Sequence, residues 1–329
     1  MDLVLKLAGV SLTAGVVLLL AVLLVVVVIP DALPLVLTGS RTHPSSTPVA
    51  AVTPSPSPTD VPTPTPSPSP SPPNRTASLI KLAADLNKIA AAGGARASVS
   101  LIELGGVAPL ALWSVKGDSV WQADSTYKLP LLMAEAQGIA SGKYKGTDSL
   151  CYKSSDYEAG WYDDYAPGKC FTRTVLATRV GRYSDNTAAH ILVRYLGGSA
   201  ALNTFARAMG AKGSKFFLPN TTTTSDLARL WASEVSDVAG GPAARNWLYP
   251  ILTGTYWESG IPAGTPRGPV VHKVGFNGKS INDAALVVRG PKGAYILTIC
   301  TYGPGNAAGW NVVSKMATRV WQFEAARPS

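Results

Sequence analysis

Residues 125–132 read STYKLPLL, and the first four, Ser125-Thr126-Tyr127-Lys128, set a hydroxyl and an amine one helical turn apart. Side chains three positions apart share a helix face, so Ser125 and Lys128 are expected to meet. A serine hydroxyl becomes a nucleophile only with a base beside it. A lysine in a partly dry site near another cation can lose its proton close to neutral pH and serve as that base. Asp124 is expected to cap the helix and leave Ser125 at its positive end. The spacing alone decides nothing, because Ser78-Leu79-Ile80-Lys81 repeats it on what reads as an ordinary helix face.

Two later triplets add weight. In Ser184-Asp185-Asn186, a second hydroxyl can relay a proton to a leaving nitrogen, and a side-chain amide can hold a substrate carbonyl. The plainer reading of the same residues is a turn, or an N-cap for a helix over Thr187–Tyr195. Lys273-Val274-Gly275 ends a strand-like run from Val270. There a cation on a strand edge can align an extended substrate and neutralise its carboxylate, while Gly275 lets backbone approach closely.

Hydrophobic periodicity predicts a helix over Ala77–Ala92, stopped by Gly93-Gly94, then strands over Ser98–Leu104 and Leu110–Val115. A helical stretch punctuated by glycines follows from Ser125 to about Trp247. Strand-like runs at Val270–Val274, Ala284–Val288 and Tyr295–Thr301 precede a terminal helix over Ala307–Ala325. That order implies an α+β fold: one lobe with an antiparallel sheet built from both chain ends, and an all-α lobe inserted into it, with a cleft between them.

The three motifs in this order resemble the signature set of serine β-lactamases and penicillin-binding proteins. STYKLPLL resembles the family's nucleophile helix and YSDNTAAHILV its S-D-N helix. IPAGTP followed by HKVGFNGKSINDAALVV resembles the approach to the family's K-T-G strand and the strand after it. The likeness runs from about residue 78 to 325 and is strongest to class A β-lactamases. It implies Ser125 as the acylated nucleophile, Lys128 as its base and Ser184 as a proton shuttle. Asn186 would bind the acyl side-chain amide, Lys273 the substrate carboxylate, and Gly275 would let the substrate backbone in. Backbone N–H groups of Ser125 and Phe276 would form the oxyanion hole. No cofactor is implied.

Two departures bear on function. Val274 replaces the usual hydroxyl residue of K-[ST]-G and removes one hydrogen bond to the substrate carboxylate, worth roughly 1.5 to 3 kcal/mol if charge-assisted. Class A enzymes also carry a glutamate on the loop after S-D-N that activates the deacylating water. Here the stretch from Thr187 to Ser225 holds no Asp or Glu. Asn220-Thr221-Thr222-Thr223-Thr224 resembles the end of that loop, with the preceding E-x-x-x-N part deleted. The expectation is a serine hydrolase acting on a β-lactam or related amide with impaired deacylation. A peptidoglycan D,D-carboxypeptidase or transpeptidase acting on stem peptides, or a non-catalytic envelope-binding or sensor module, is the alternative.

Composition sets the surroundings. Leu7 to Pro30 is a 24-residue run without a charge, long enough at about 1.5 Å per residue to cross a bilayer as a helix. Residues 1–38 are therefore expected to be a single-pass membrane anchor. Residues 39–76 form a Pro/Ser/Thr-rich disordered linker, in which alternate prolines exclude helix and sheet. Residues 77–329 form the catalytic domain, held outside the membrane as a monomer. Of three cysteines, Cys151 and Cys170 are the expected disulfide, and Cys300 lies in an apolar run as a buried thiol. The histidines make no metal motif. The net charge of +9 comes from singly scattered Lys and Arg, which excludes a nucleic-acid partner.

Overall fold

The computed structural model describes residues 74–327, so the expected anchor and nearly all of the linker lie outside the described residues. The first helix, α1 (Arg75–Ala92), starts two residues before the expected position. The reason is Asn74, whose Oδ1 accepts from the backbone N–H of Thr76 at 3.0 Å and of Ala77 at 3.5 Å. Then follow β1 (Arg96–Glu103), β2 (Trp113–Val115), β3 (Trp121–Gln122), α2 (Lys128–Ala140), β4 (Ser149–Cys151), β5 (Cys170–Thr172) and α3 (Arg173–Tyr183). Next come α4 (Asn186–Leu196), α5 (Gly198–Ala208), β6 (Thr221–Thr222), α6 (Thr224–Val235) and α7 (Gly241–Leu248). The chain closes with β7 (Val270–Asn277), β8 (Ser280–Val287), β9 (Tyr295–Tyr302) and α8 (Asn306–Ala325).

The main sheet is antiparallel in the order β2-β1-β9-β8-β7, so strands from both chain ends combine as expected. Both of its faces are covered, which explains why its strands read as apolar runs. Val99, Leu101, Ala285, Val287, Leu297 and Ile299 point toward α1 and α8, where Leu82, Leu86, Val313 and Met316 meet them. Ile102, Ala284, Leu286, Ile296 and Cys300 point the other way, into the core of the helical lobe around Leu132, Leu192 and Trp231. Each fully buried aliphatic side chain contributes about 1.5–3 kcal/mol of transfer free energy.

Two expected strands were drawn too short. β7 and β8 form a continuous hairpin turning at Gly278-Lys279, and Gly278 takes φ +55°. The polar residues Ser280, Asn282 and Asp283 hid the start of β8, yet all three are buried and hydrogen-bonded within the fold. A third was drawn too long: of Leu110–Val115 only the last three residues pair with β1. The helical lobe also holds a two-stranded sheet, β4 with β5, whose ends Cys151 and Cys170 form the expected disulfide. Cys300 is fully buried with a free thiol.

Inside the helical lobe Arg173 at the start of α3 pairs with Glu135 of α2, both nearly inaccessible to solvent, and the Arg173 guanidinium stacks 4.0 Å from the Tyr144 ring centroid. Truncating one partner strands the other charge in a dry core. Glu135→Ala is therefore expected to cost about 3–5 kcal/mol, read as a lowered urea midpoint at unchanged slope, whereas Lys81→Ala, at an exposed pair on α1, shifts it by under about 1 kcal/mol.

Candidate active site

Ser125 does not lie on an α-helix. It sits in a 3-10 turn, Asp124–Tyr127, that runs into α2 at Lys128. Asp124 is no N-cap: its φ is +48°, and its carboxylate is buried and accepts from Ser280 Oγ. Burial pushes the Asp124 carboxyl up to about 6, with the Ser280 hydrogen bond opposing. The turn is pinned from three sides. Asn282 Nδ2 donates to the Gln122 carbonyl at 2.8 Å, Asn220 Nδ2 to the Asp124 carbonyl at 2.9 Å, and Thr126 Oγ1 to the Ala123 carbonyl at 2.6 Å. Tertiary contacts hold Ser125, and the helix continues from it.

The i,i+3 relation survives in the turn. Lys128 Nζ lies 3.1 Å from Ser125 Oγ, 2.6 Å from the Ser184 carbonyl oxygen, 2.6 Å from Asn186 Oδ1 and 3.3 Å from Ser184 Oγ. Its side chain is completely buried, and burial pulls its pKa down to about 7 against the opposing charges of Asp185 and Glu158. A neutral amine there donates its two N–H groups to the two oxygens at 2.6 Å and keeps one lone pair for the Ser125 hydroxyl. That is the arrangement a base requires.

Ser184 caps the end of α3 in a left-handed conformation, φ +60°, which puts its carbonyl on Lys128 and its hydroxyl between two lysines. Lys273 Nζ donates to Ser184 Oγ at 2.9 Å and to the Val274 carbonyl at 2.9 Å. Burial holds Lys273 well below the usual lysine range, with Lys128 adding to the effect. Asp185 is the N-cap of α4, accepting from Ala188 N at 2.8 Å, and also receives Trp161 N, Tyr162 N and the Tyr165 hydroxyl. The N-cap reading of S-D-N is thus met by Asp185, while Ser184 and Asn186 on either side of it touch Lys128. Asn186 is used on both sides, because its Nδ2 donates to the Ala159 carbonyl at 2.8 Å.

Strand β7 forms the sheet edge at this cleft. A Cβ on Gly275 would come within 2.6 Å of the Ala123 oxygen, 2.6 Å of Thr126 N and 2.8 Å of Ser125 N. Only glycine allows β7 so close to the nucleophile turn. Phe276, next along, is partly exposed at the mouth and packs on Trp257, ring centroids 4.6 Å apart. Behind Lys273 the buried His272 lies 2.9 Å from Asp283 and 3.1 Å from Glu258. Burial opposes its charge, yet these carboxylates hold its pKa up to about 9.

Of the expected site residues Ser125, Asn186 and Phe276 line a cleft of about 470 Å³, and Lys128, Ser184, Lys273 and Gly275 join them through the contacts just described. Its wall also carries residues that sequence motifs did not single out for the site: Glu158, from the segment before α3, and His190, one turn after Asn186 on α4. From the loop between α5 and β6 come Phe217, Leu218 and Asn220. The i,i+4 spacing of Asn186 and His190 was a readable signal for one of them. For Glu158 there was none, since only the tertiary fold brings it here.

The sequence profile of the β-lactamase enzyme family matches residues 81–323. The chain belongs to this family. A β-lactamase of Rhodobacter capsulatus is 31% identical over 128 residues, covering 37% of this chain and 41% of that protein, so the match spans less than half of that relative's length. Among solved structures, PBP-A superimposes with a TM-score of 0.67 at 25% identity, covering 74% of this chain and 95% of its own. A PBP-A variant with one leucine changed to glutamate, solved as an acyl-enzyme with penicillin G, gives a TM-score of 0.68. A β-lactamase from Sphaerobacter thermophilus shares the fold at 21% identity and a TM-score of 0.67, covering 75% of this chain and 98% of its own.

Two outcomes follow for labelling of Ser125 by a penicillin, followed by intact-protein mass spectrometry. Gly275→Ala forces β7 off the nucleophile turn by several tenths of an ångström or more, and labelling is expected to slow by about 100-fold. Below about 7 Lys128 is charged and has no lone pair for Ser125, so the labelling rate rises with pH through about 7 and levels off above it. A rate independent of pH from 5 to 9 would refute Lys128 as the base.

Proposed function

We propose that the protein is an acyl-transfer enzyme of the class A β-lactamase type, in which Ser125 opens a β-lactam or related amide. The observation that carries this is the buried Lys128 amine 3.1 Å from the Ser125 hydroxyl, its pKa drawn down to about 7 by burial. In this reading Lys128 takes the hydroxyl proton as Ser125 Oγ bonds to the carbonyl carbon. Developing charge on the carbonyl oxygen is met by the backbone N–H groups of Ser125 and Phe276. Ser184, bridged to both lysines, hands a proton to the leaving nitrogen. Asn186 faces the acyl side chain, and Lys273 the side of the cleft where a substrate carboxylate would lie.

Deacylation is the weak step. The loop between α5 and β6, which supplies a glutamate in class A enzymes, presents Phe217, Leu218 and Asn220 to the cleft instead. This favours a long-lived acyl-enzyme and gives the second reading its support: a penicillin-binding D,D-carboxypeptidase or transpeptidase working on peptidoglycan stem peptides. The likeness to PBP-A points the same way. A non-catalytic envelope sensor is disfavoured by the complete hydrogen-bonded set of Ser125, Lys128, Ser184 and Lys273. The apolar run Leu7–Pro30 would anchor the domain and the proline-rich tract would hold it clear of the membrane.

Incubating the full-length protein with a penicillin should give a single mass adduct on Ser125, absent from Ser125→Ala. Absence of both an adduct and Ser125-dependent hydrolysis of penicillin, with the wild-type protein at millimolar penicillin, would overturn the reading.

A further inference from the structure

The chain carries a net charge of +9, yet among the described residues no lysine or arginine lines the cleft that holds Ser125. Lys128 and Lys273 lie behind its surface, both buried. The exposed charge on the wall is negative and comes from Glu158, whose side chain is 53% exposed. The other carboxyl group there, Asp124, is buried and turned onto Ser280. A carboxylate facing the space that a ligand must enter favours one sign of charge in that ligand and repels the other.

Glu158 is fixed at one end of the cleft. Its N–H accepts no freedom of register: it donates to Thr187 Oγ1 at 3.1 Å, and the Thr187 hydroxyl donates back to the Glu158 carbonyl at 2.8 Å. The carbonyl of the next residue, Ala159, accepts from Asn186 Nδ2. The Glu158 side chain therefore leaves the backbone beside Asn186, the residue that on the acyl-serine reading holds the substrate's acyl side-chain amide. Nε2 of His190 lies 2.8 Å from one oxygen of the carboxylate. Burial lowers the His190 pKa against the pull of Glu158, so the ring is neutral at neutral pH and leaves the Glu158 charge uncancelled. Tyr127 and Phe217 line the same cleft with ring centroids 5.5 Å apart, and aromatic faces also favour a cation.

We propose that Glu158 selects substrates whose acyl side chain carries a primary ammonium within a few bonds of the acyl amide. The ammonium donates to the Glu158 carboxylate while Asn186 holds the amide, which is a charge-assisted contact made at the rim of the site. An acyl side chain with a carboxylate at the same place meets repulsion instead. Glu158 takes no part in bond making; it acts on which acyl group reaches Ser125.

This proposal rests on the acyl-serine reading, and the test separates the two. Full-length wild type, Glu158→Gln and Glu158→Lys are each treated with ampicillin, penicillin G and carbenicillin, which share one scaffold and differ at the acyl α-carbon by an ammonium, a hydrogen and a carboxylate. The second-order acylation rate is read by intact mass as adduct formation or, where turnover is fast, as Ser125-dependent hydrolysis. Wild type is expected to prefer ampicillin to carbenicillin by about tenfold or more. Glu158→Gln, which removes the charge and keeps the shape, should cut that preference to under about threefold, and Glu158→Lys should reverse it. Rates for penicillin G serve as the common denominator, so a variant that is merely less well folded slows all three compounds alike and leaves the preference intact. An ampicillin-to-carbenicillin ratio that is the same in wild type and Glu158→Gln overturns the proposal, as does a wild-type preference for carbenicillin. Failure of wild type to react with any of the three overturns the parent reading and this one with it.

Discussion

A primary amine buried with no carboxylate in direct contact among the described residues is the constraint around which this domain is arranged. Lys128 is fully desolvated and touches three hydroxyl or carbonyl groups within 3.1 Å, and among the described residues no carboxylate lies within ion-pair distance of it. Burying a charged ammonium in this way is costly, so the neutral form is favoured and the lone pair needed for proton abstraction comes from the packing itself. The oxygens that take its two N–H groups belong to Ser184 and Asn186, on either side of the junction between α3 and α4. The left-handed backbone at Ser184 and the capping carboxylate of Asp185 are what set that junction.

The same demand for burial explains the two lobes. Lys128 opens a helix whose next residues pack on every side in the core of the helical lobe, while Ser125 just before it is clasped by β7 and β8 of the sheet lobe. Ser125 is thus strung across the seam. Asp124, Ser280, Asn282 and Asn220 tie the seam together by hydrogen bonds between segments far apart in the chain. None of these polar groups would be tolerated at that depth without its partners, which makes the turn rigid as well as buried.

Two substitutions in the cleft pull its chemistry in a definite direction. Val274 withholds a hydroxyl from the carboxylate side, and Lys273 is already committed to Ser184 and to a backbone carbonyl. The loop before β6 brings Phe217, Leu218 and Asn220 to the cleft wall, which also carries Glu158, held by His190.

From sequence alone, the α+β class, the assembly of the sheet from both chain ends, the three motifs and the Cys151–Cys170 pair were legible. Each is either a local spacing, as with Ser125 and Lys128, or an apolar period that must be buried. Strand ends were misread where buried polar residues such as Asn282 and Asp283 mimic a loop, and Asp124 was misread as a helix cap because its partner Ser280 is remote in the chain. Glu158 and the His272 network were invisible for the same reason. Their chemistry depends on which segments the two lobes press together, and on the loss of water there, and neither is encoded in any short run of residues. Sequence determined which groups can do chemistry; only the tertiary structure decided which of them are dry, paired and aimed at Ser125.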